Sequence, residues 1–328
     1  MKKILFLFFT VSVFFSCSAN QVVENEINEP IENTTEPTNP FFTYNFGEGL
    51  ANLSAKEQVE ELSKYGFTGM TFQIDNDDQI EFMKEVITEA AKVENFDLTS
   101  VFFRYNFELG DFLDKYEEVI DIIAEKSPQT NFWLIFGRTN RSGFDYSFVD
   151  DAYVEGKLLT ITEYAKSKNV GMTLYPHFNT FYEDAEQIIP VVNRVNASIG
   201  EPYLKISIHL CHELRAGNGE RMDEVVENVG DLLAYVSISG ADAVPNTSNN
   251  REFTASTLRL LYWGDESIDP NQAGNDAYDI TKFIKALKDN SYKGPVAMIN
   301  FKLDNALDDY LPKSIVKWNQ LKNEYLNY

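Results

Sequence analysis

The sequence predicts a single (β/α)8 barrel, on three observations. From Phe41 onward, short apolar runs rich in aromatic and β-branched residues alternate with longer amphipathic stretches. Eight such pairs fit between residues 41 and 328, which is one barrel's length of chain. None of the apolar runs leads into a glycine-rich phosphate loop of the GxGxxG or GxxxxGK kind, which argues against an open doubly wound sheet. Gly217-Asn218-Gly219 is the nearest cluster, and it lies in a polar turn.

Taken in order, the strand candidates begin with FFTYNF from Phe41, FTGMTFQ from Phe67, LTSVFF from Leu98 and NFWLIFG from Asn131. GMTLY from Gly171, YLKISIH from Tyr203, LLAYVSI from Leu232 and PVAMIN from Pro295 follow. The helical candidates between them start at Ala55, Gln79, Phe112, Tyr153, Asp184, Glu220, Ile280 and Ser314. In YEEVIDIIAEK, for example, Val119, Ile120 and Ile123 line one face. Pro190 interrupts the helix from Asp184, so a kink or a late start is expected there. Residues 241 to 275 form the longest irregular stretch, and an excursion after the seventh strand is expected to sit over the barrel mouth.

The amino terminus reads differently. Lys2 and Lys3 precede the apolar run ILFLFFTVSVFF, which is short for a membrane span and suits a secretory signal. FFSC resembles a bacterial lipoprotein signal, which implies lipidation at Cys17 and an anchored protein in the cell envelope. Residues 1 to 16 are then signal, and 17 to 40 are an acidic, proline-bearing tether without a basic residue. Residues 41 to 328 are the barrel.

Charge and composition exclude several classes. The chain has 328 residues and a net charge of -23; loss of Lys2 and Lys3 with the signal makes it -25. Such a field opposes nucleic-acid binding, which needs a basic surface. With 44% hydrophobic residues the chain carries a substantial core, which excludes a disordered chain. Two cysteines, Cys17 and Cys211, exclude a disulfide-stapled small domain.

The functional signal lies in the histidines. All three fall within a short stretch: His177 after the fifth strand, His209 at the end of the sixth, and His212 just beyond. In a barrel these positions share the carboxyl-terminal, catalytic face. Imidazoles there serve as metal ligands, as a general base or as polar contacts to a sugar. His177, His209 and His212 supply three ligands for a divalent ion (Zn, Mn or Mg), and Glu213, Asp242 or, least favoured, Cys211 a fourth. Cys211 is expected to turn away from His212 if the strand continues. At the other strand ends stand Asn45, Arg104, Arg138, Tyr175, Asn300 and Lys302, residue types suited to sugar hydroxyls or carboxylates. Trp263, with Tyr262, offers a stacking platform in the excursion.

GMTLYPHFNTFYEDAEQIIPVVNRVNASIG followed by LKISIHLCHELRAGN resembles the sugar phosphate isomerase/epimerase superfamily, the xylose isomerase-like barrels. LLAYVSISGAD and DITKFIKALKDNSYKGPVAMINF resemble its seventh strand and closing segment. The resemblance implies sugar or polyol substrates and a divalent metal held by carboxylates and a histidine. This chain departs from that pattern: Tyr175 stands where the family has glutamate, His209 where it has aspartate, and Ile299 or Asn300 where glutamate or glutamine is usual. His212 matches the family histidine. The expected function is an isomerase or epimerase on a sugar or oxidised sugar, with His177 or His209 as base. The alternatives are a lyase or glycoside-cleaving enzyme on a keto-sugar, and a carbohydrate-binding lipoprotein without catalysis.

Overall fold

The computed structural model describes residues 39–46, 48–105, 114–137, 150–177, 180–242, 258–272, 277–301, 303 and 305–326. The signal, all but the last two residues of the tether, Cys17, Arg138 and Lys302 lie outside the described residues.

Eight parallel strands close into a barrel in sequence order. They are β1 (Phe41–Tyr44), β2 (Gly69–Ile74), β3 (Asp97–Tyr105), β4 (Asn131–Phe136), β5 (Met172–Leu174), β6 (Leu204–His209), β7 (Leu233–Ile238) and β8 (Val296–Met298). β8 returns to β1 with Phe42 opposite Ala297, which seals the edge. The helices in chain order are α1 (Glu48–Ala51), α2 (Ala55–Tyr65), α3 (Asp77–Ala90), α4 (Tyr116–Lys126) and α5 (Asp151–Ser167). They continue with α6 (Ala185–Ile199), α7 (Leu210–Ala216), α8 (Met222–Val229), α9 (Thr281–Asp289) and α10 (Leu307–Tyr325). The predicted fold class is the observed one.

Local chemistry sets the helix starts. Ser54 and Glu57 form a reciprocal capping box at α2, while Asn76, Asp150 and Asp184 each accept a backbone N–H at the start of α3, α5 and α6. Pro190 does not delay α6. Capped by Asp184, the helix runs through it, with the proline on the exposed side.

Strand alternation separates two apolar layers. Residues such as Phe72, Phe103, Leu134 and Ile206 face the helices and join the main core. Phe42, Tyr44, Phe102, Trp133, Tyr175 and Tyr235 belong to a second cluster inside the barrel. Trp133 is its centre: fully buried, its ring centroid lies 4.9 Å from Tyr235, 5.6 Å from Tyr175 and 6.1 Å from Tyr44. Rings therefore fill much of the barrel interior, with buried polar pairs such as Tyr44–Ser237 among them.

The excursion after β7 is strapped down at its root. Gly240 and Asp242 bridge to Arg259 and Ala277. The Asp242 carboxylate accepts Nε and Nη2 of Arg259 at 3.1 and 2.7 Å and Trp263 Nε1 at 2.9 Å. Gly240 allows the approach, because a Cβ there would lie 1.9 Å from the Leu260 carbonyl oxygen. Beyond it, Asp265 and Asp269 pair with Lys317 and Lys313 of α10. The described part of the excursion thus runs outward to α10. Among the described residues no helix is long and apolar enough to cross a membrane.

Candidate functional site

The site is built by an abrupt strand-to-helix transition. β6 delivers His209 to the barrel mouth, and α7 starts at the next residue without an intervening loop. His209 keeps extended dihedrals as the residue before the helix. Cys211 and His212 therefore occupy a helical first turn, and His212 curls back beside His209 with ring centroids 4.3 Å apart. Cys211 Sγ lies 3.2 Å from His209 Nδ1 and 3.8 Å from His212 Nδ1. This corrects the expectation that Cys211 turns away: strand alternation has already ended at His209.

From the neighbouring β5, the chain passes Tyr175 and Pro176 into a tight turn. His177 N–H donates to the Tyr182 carbonyl, and Thr180 bonds back to the His177 carbonyl. The turn holds the His177 ring 4.1 Å from that of His212. The three imidazoles thus form a continuous group, with His212 between the other two. Tyr175 stacks on His209 at 5.5 Å with the planes 14° apart. Its hydroxyl shares a hydrogen bond with Tyr44, which in turn bonds Ser237 Oγ at 3.1 Å.

Burial sets the protonation states. His209 is 0% exposed, Cys211 3% and His212 4%, whereas His177 is half-buried. Desolvation, then the neighbouring imidazoles, holds His209 and His212 well below the usual histidine range, so both are neutral and each keeps a nitrogen lone pair. Burial pushes the Cys211 thiol up to about 12. Without an ion it is a protonated, inert thiol rather than a nucleophile paired with His209.

His209, Cys211 and His212 offer ligand atoms that all lie within 4.8 Å of one another. This His/Cys/His cluster can coordinate a metal ion. Two neutral imidazoles and a sulfur suit a divalent cation of borderline softness.

Other predicted residues are placed as follows. Glu213 points out of the cluster: its carboxylate accepts Ala185 N–H at 2.9 Å and Asn218 Nδ2 at 2.7 Å, tying α7 to the start of α6. Full burial raises its pKa to about 7. Arg104 does reach the interior, where Nη2 donates to Gln73 Oε1 at 2.8 Å and its charge acts on the Tyr175 hydroxyl. Asn45 faces outward to Gln58 of α2, because alternation gives the interior position to Tyr44. Asn300 is fully buried and spent: it accepts Phe46 N–H at 3.2 Å and donates to Tyr310 at 3.1 Å. Trp263 is engaged by Asp242 and by the Arg259 guanidinium 4.8 Å from its ring, and Tyr262 is buried. Gln73 was not singled out by the sequence; its even-handed place on β2, between Phe72 and Ile74, carried the only signal.

No protein-family model matches the chain, and no curated protein matches it. Solved structures do. A xylose isomerase domain protein from Planctomyces limnophilus is 13% identical, over 89% of this chain and 100% of that one, with a TM-score of 0.61. D-psicose 3-epimerase with D-tagatose from Clostridium cellulolyticum H10 is 12% identical over 88% and 100%, at 0.55. A xylose isomerase-like TIM barrel/4-hydroxyphenylpyruvate dioxygenase fusion protein is 13% identical over 88% of this chain, at 0.60, and this chain spans 43% of its length. At these identities the comparisons establish the shared barrel fold, in agreement with the topology.

Proposed function

We propose that the protein is a metal-assisted isomerase or epimerase acting on a sugar or oxidised sugar. The observation that carries this reading is the convergence of His177 with His209, Cys211 and His212 at the carboxyl-terminal mouth of the barrel, on adjacent strands. The similar barrels described as sugar epimerases support the substrate class. An ion at the cluster would polarise a substrate carbonyl and acidify the neighbouring C–H. His177, the most solvent-facing of the three imidazoles, then removes that proton and returns it to the adjacent position or face. Arg104, held by Gln73, and the Tyr175 hydroxyl orient the oxygen on which charge develops. The aromatic floor under the mouth excludes water from below.

Proton exchange tests it. Incubated in heavy water with keto-sugars and their oxidised forms, the wild type should wash deuterium into the carbon beside the carbonyl, and His177→Ala should not. A metal-loaded protein that binds these sugars without any exchange would instead be a carbohydrate-binding protein.

We also propose export and lipid anchoring through Cys17, supported by Lys2, Lys3, the apolar run and the FFSC sequence. Mass spectrometry of the mature amino terminus checks it: a diacylated Cys17 supports anchoring, and an unmodified chain in the soluble fraction opposes it.

A further inference from the structure

We propose that Cys211 is a thiolate ligand beside His209 and His212, and that this donor set selects a zinc-class cation over magnesium and manganese. The inference rests on the proposed function for what the ion does, and on the geometry alone for which ion it is.

The distances suit direct ligation of one ion. In a tetrahedral zinc centre with one sulfur and two nitrogens, neighbouring ligand atoms are about 3.3–3.6 Å apart. The Cys211 Sγ separations of 3.2 Å to His209 Nδ1 and 3.8 Å to His212 Nδ1 bracket that edge. The remote nitrogen of His209 is 4.0 Å away, so Nδ1 is the atom turned toward the sulfur. The Tyr175 ring stacks on His209, and the first turn of α7 places Cys211 beside it.

The chemistry of the donors decides the metal. Magnesium and manganese take oxygen ligands, and among the described residues the carboxylates of the neighbouring elements are engaged by other partners. Glu213 is held by Ala185 N–H and Asn218, Asp242 by Arg259 and Trp263, and Asp184 by the Gln187 N–H at the start of α6. Among the described residues the cluster offers nitrogen and sulfur, with its His177 side toward the mouth. On binding, the Cys211 S–H bond breaks, its proton leaves to solvent, and a metal–sulfur bond forms. The site charge then rises by one unit rather than two, which lowers the desolvation cost of seating an ion in this ring-lined mouth.

Cobalt(II) reports sulfur ligation directly. The untagged chain carrying Cys17→Ser leaves Cys211 as the sole thiol. It should bind one cobalt per chain with an intense near-ultraviolet sulfur-to-cobalt band. Zinc should abolish the band, and a thousandfold excess of magnesium or manganese should leave it. Adding Cys211→Ser should remove the band and weaken binding by about tenfold or more. X-ray absorption of the zinc-loaded Cys17→Ser protein, which does not depend on that variant folding, should show one sulfur at about 2.3 Å. Cobalt bound without the band, displacement by magnesium, or a shell of nitrogen and oxygen alone overturns the proposal. A sulfur shell without sugar exchange leaves this inference standing and removes the proposed function; exchange with an oxygen-and-nitrogen shell does the reverse.

Discussion

His209 Nδ1 and Cys211 Sγ face one another at 3.2 Å. Two residues apart on an extended strand they would lie on one side but about 6.6 Å apart, with His212 on the opposite side. Starting α7 at Leu210 folds all three into one group. The backbone transition is therefore what converts three separate side chains into a cluster.

Metal removal should accordingly be visible as lost stability. An ion bound only to the folded chain stabilises it by about 2.7 kcal/mol at a free concentration a hundredfold above its Kd. For a domain of this size that is about 4–5 °C in Tm. Calorimetry before and after chelation, and again after adding zinc, should show a fall and a recovery. An unchanged Tm would count against an ion in this cluster.

His177 and His212 are close in space yet should separate in kinetics. His177→Ala should lower kcat by roughly a hundredfold or more, the usual effect of losing a general base, while bound zinc stays near one per chain. His212→Ala should lose both zinc and turnover. Equal zinc loss in the two variants would make His177 a ligand rather than the base.

Glu213 gives a pH signature with a definite sign. Its folded pKa is about 7 against an ordinary 4.5, so across that window the native state holds a proton that the unfolded chain releases. Its contribution to stability is present below the lower value and is lost as pH rises through the upper one, by about 3 kcal/mol. His209 and His212 act oppositely: kept neutral by burial, they support the fold above pH 6.5 and cost stability as pH falls below it. The wild type should therefore show a flattened profile, and Glu213→Gln one that rises as pH climbs toward 6.5 and levels off above it. Urea unfolding at a series of pH values reads the difference; parallel curves would contradict the raised pKa.

The barrel was legible because each strand is an apolar run bounded by polar chain, a pattern that burial on two faces imposes. His209 and His177 were legible for the same reason, since strand ends locate the mouth. What escaped was parity and termination. Asn45 and Asn300 have the residue types of mouth contacts, but their neighbours Tyr44 and Ile299 take the inward positions. Cys211 was misread because nothing in LKISIHLCHELR marks where extended chain becomes helix; the tertiary seat of α7 decides it. Glu213 follows His212 by one helical step, and that step swings it toward α6.

Asn300 gives the sharpest test of that parity argument. If it is a pin between Phe46 N–H and Tyr310, Asn300→Ala leaves two partners unpaired, Tyr310 among them at 1% exposure. Each unsatisfied group costs about 1–3 kcal/mol. The variant should lose several degrees or more in Tm, while kcat/KM of the folded fraction stays within a few-fold of wild type. A sugar contact would give the opposite pattern, because it touches the ligand and not the core: an unchanged Tm with KM raised about tenfold. Measuring both quantities on one preparation separates the two roles, and the second pattern would return Asn300 to the mouth.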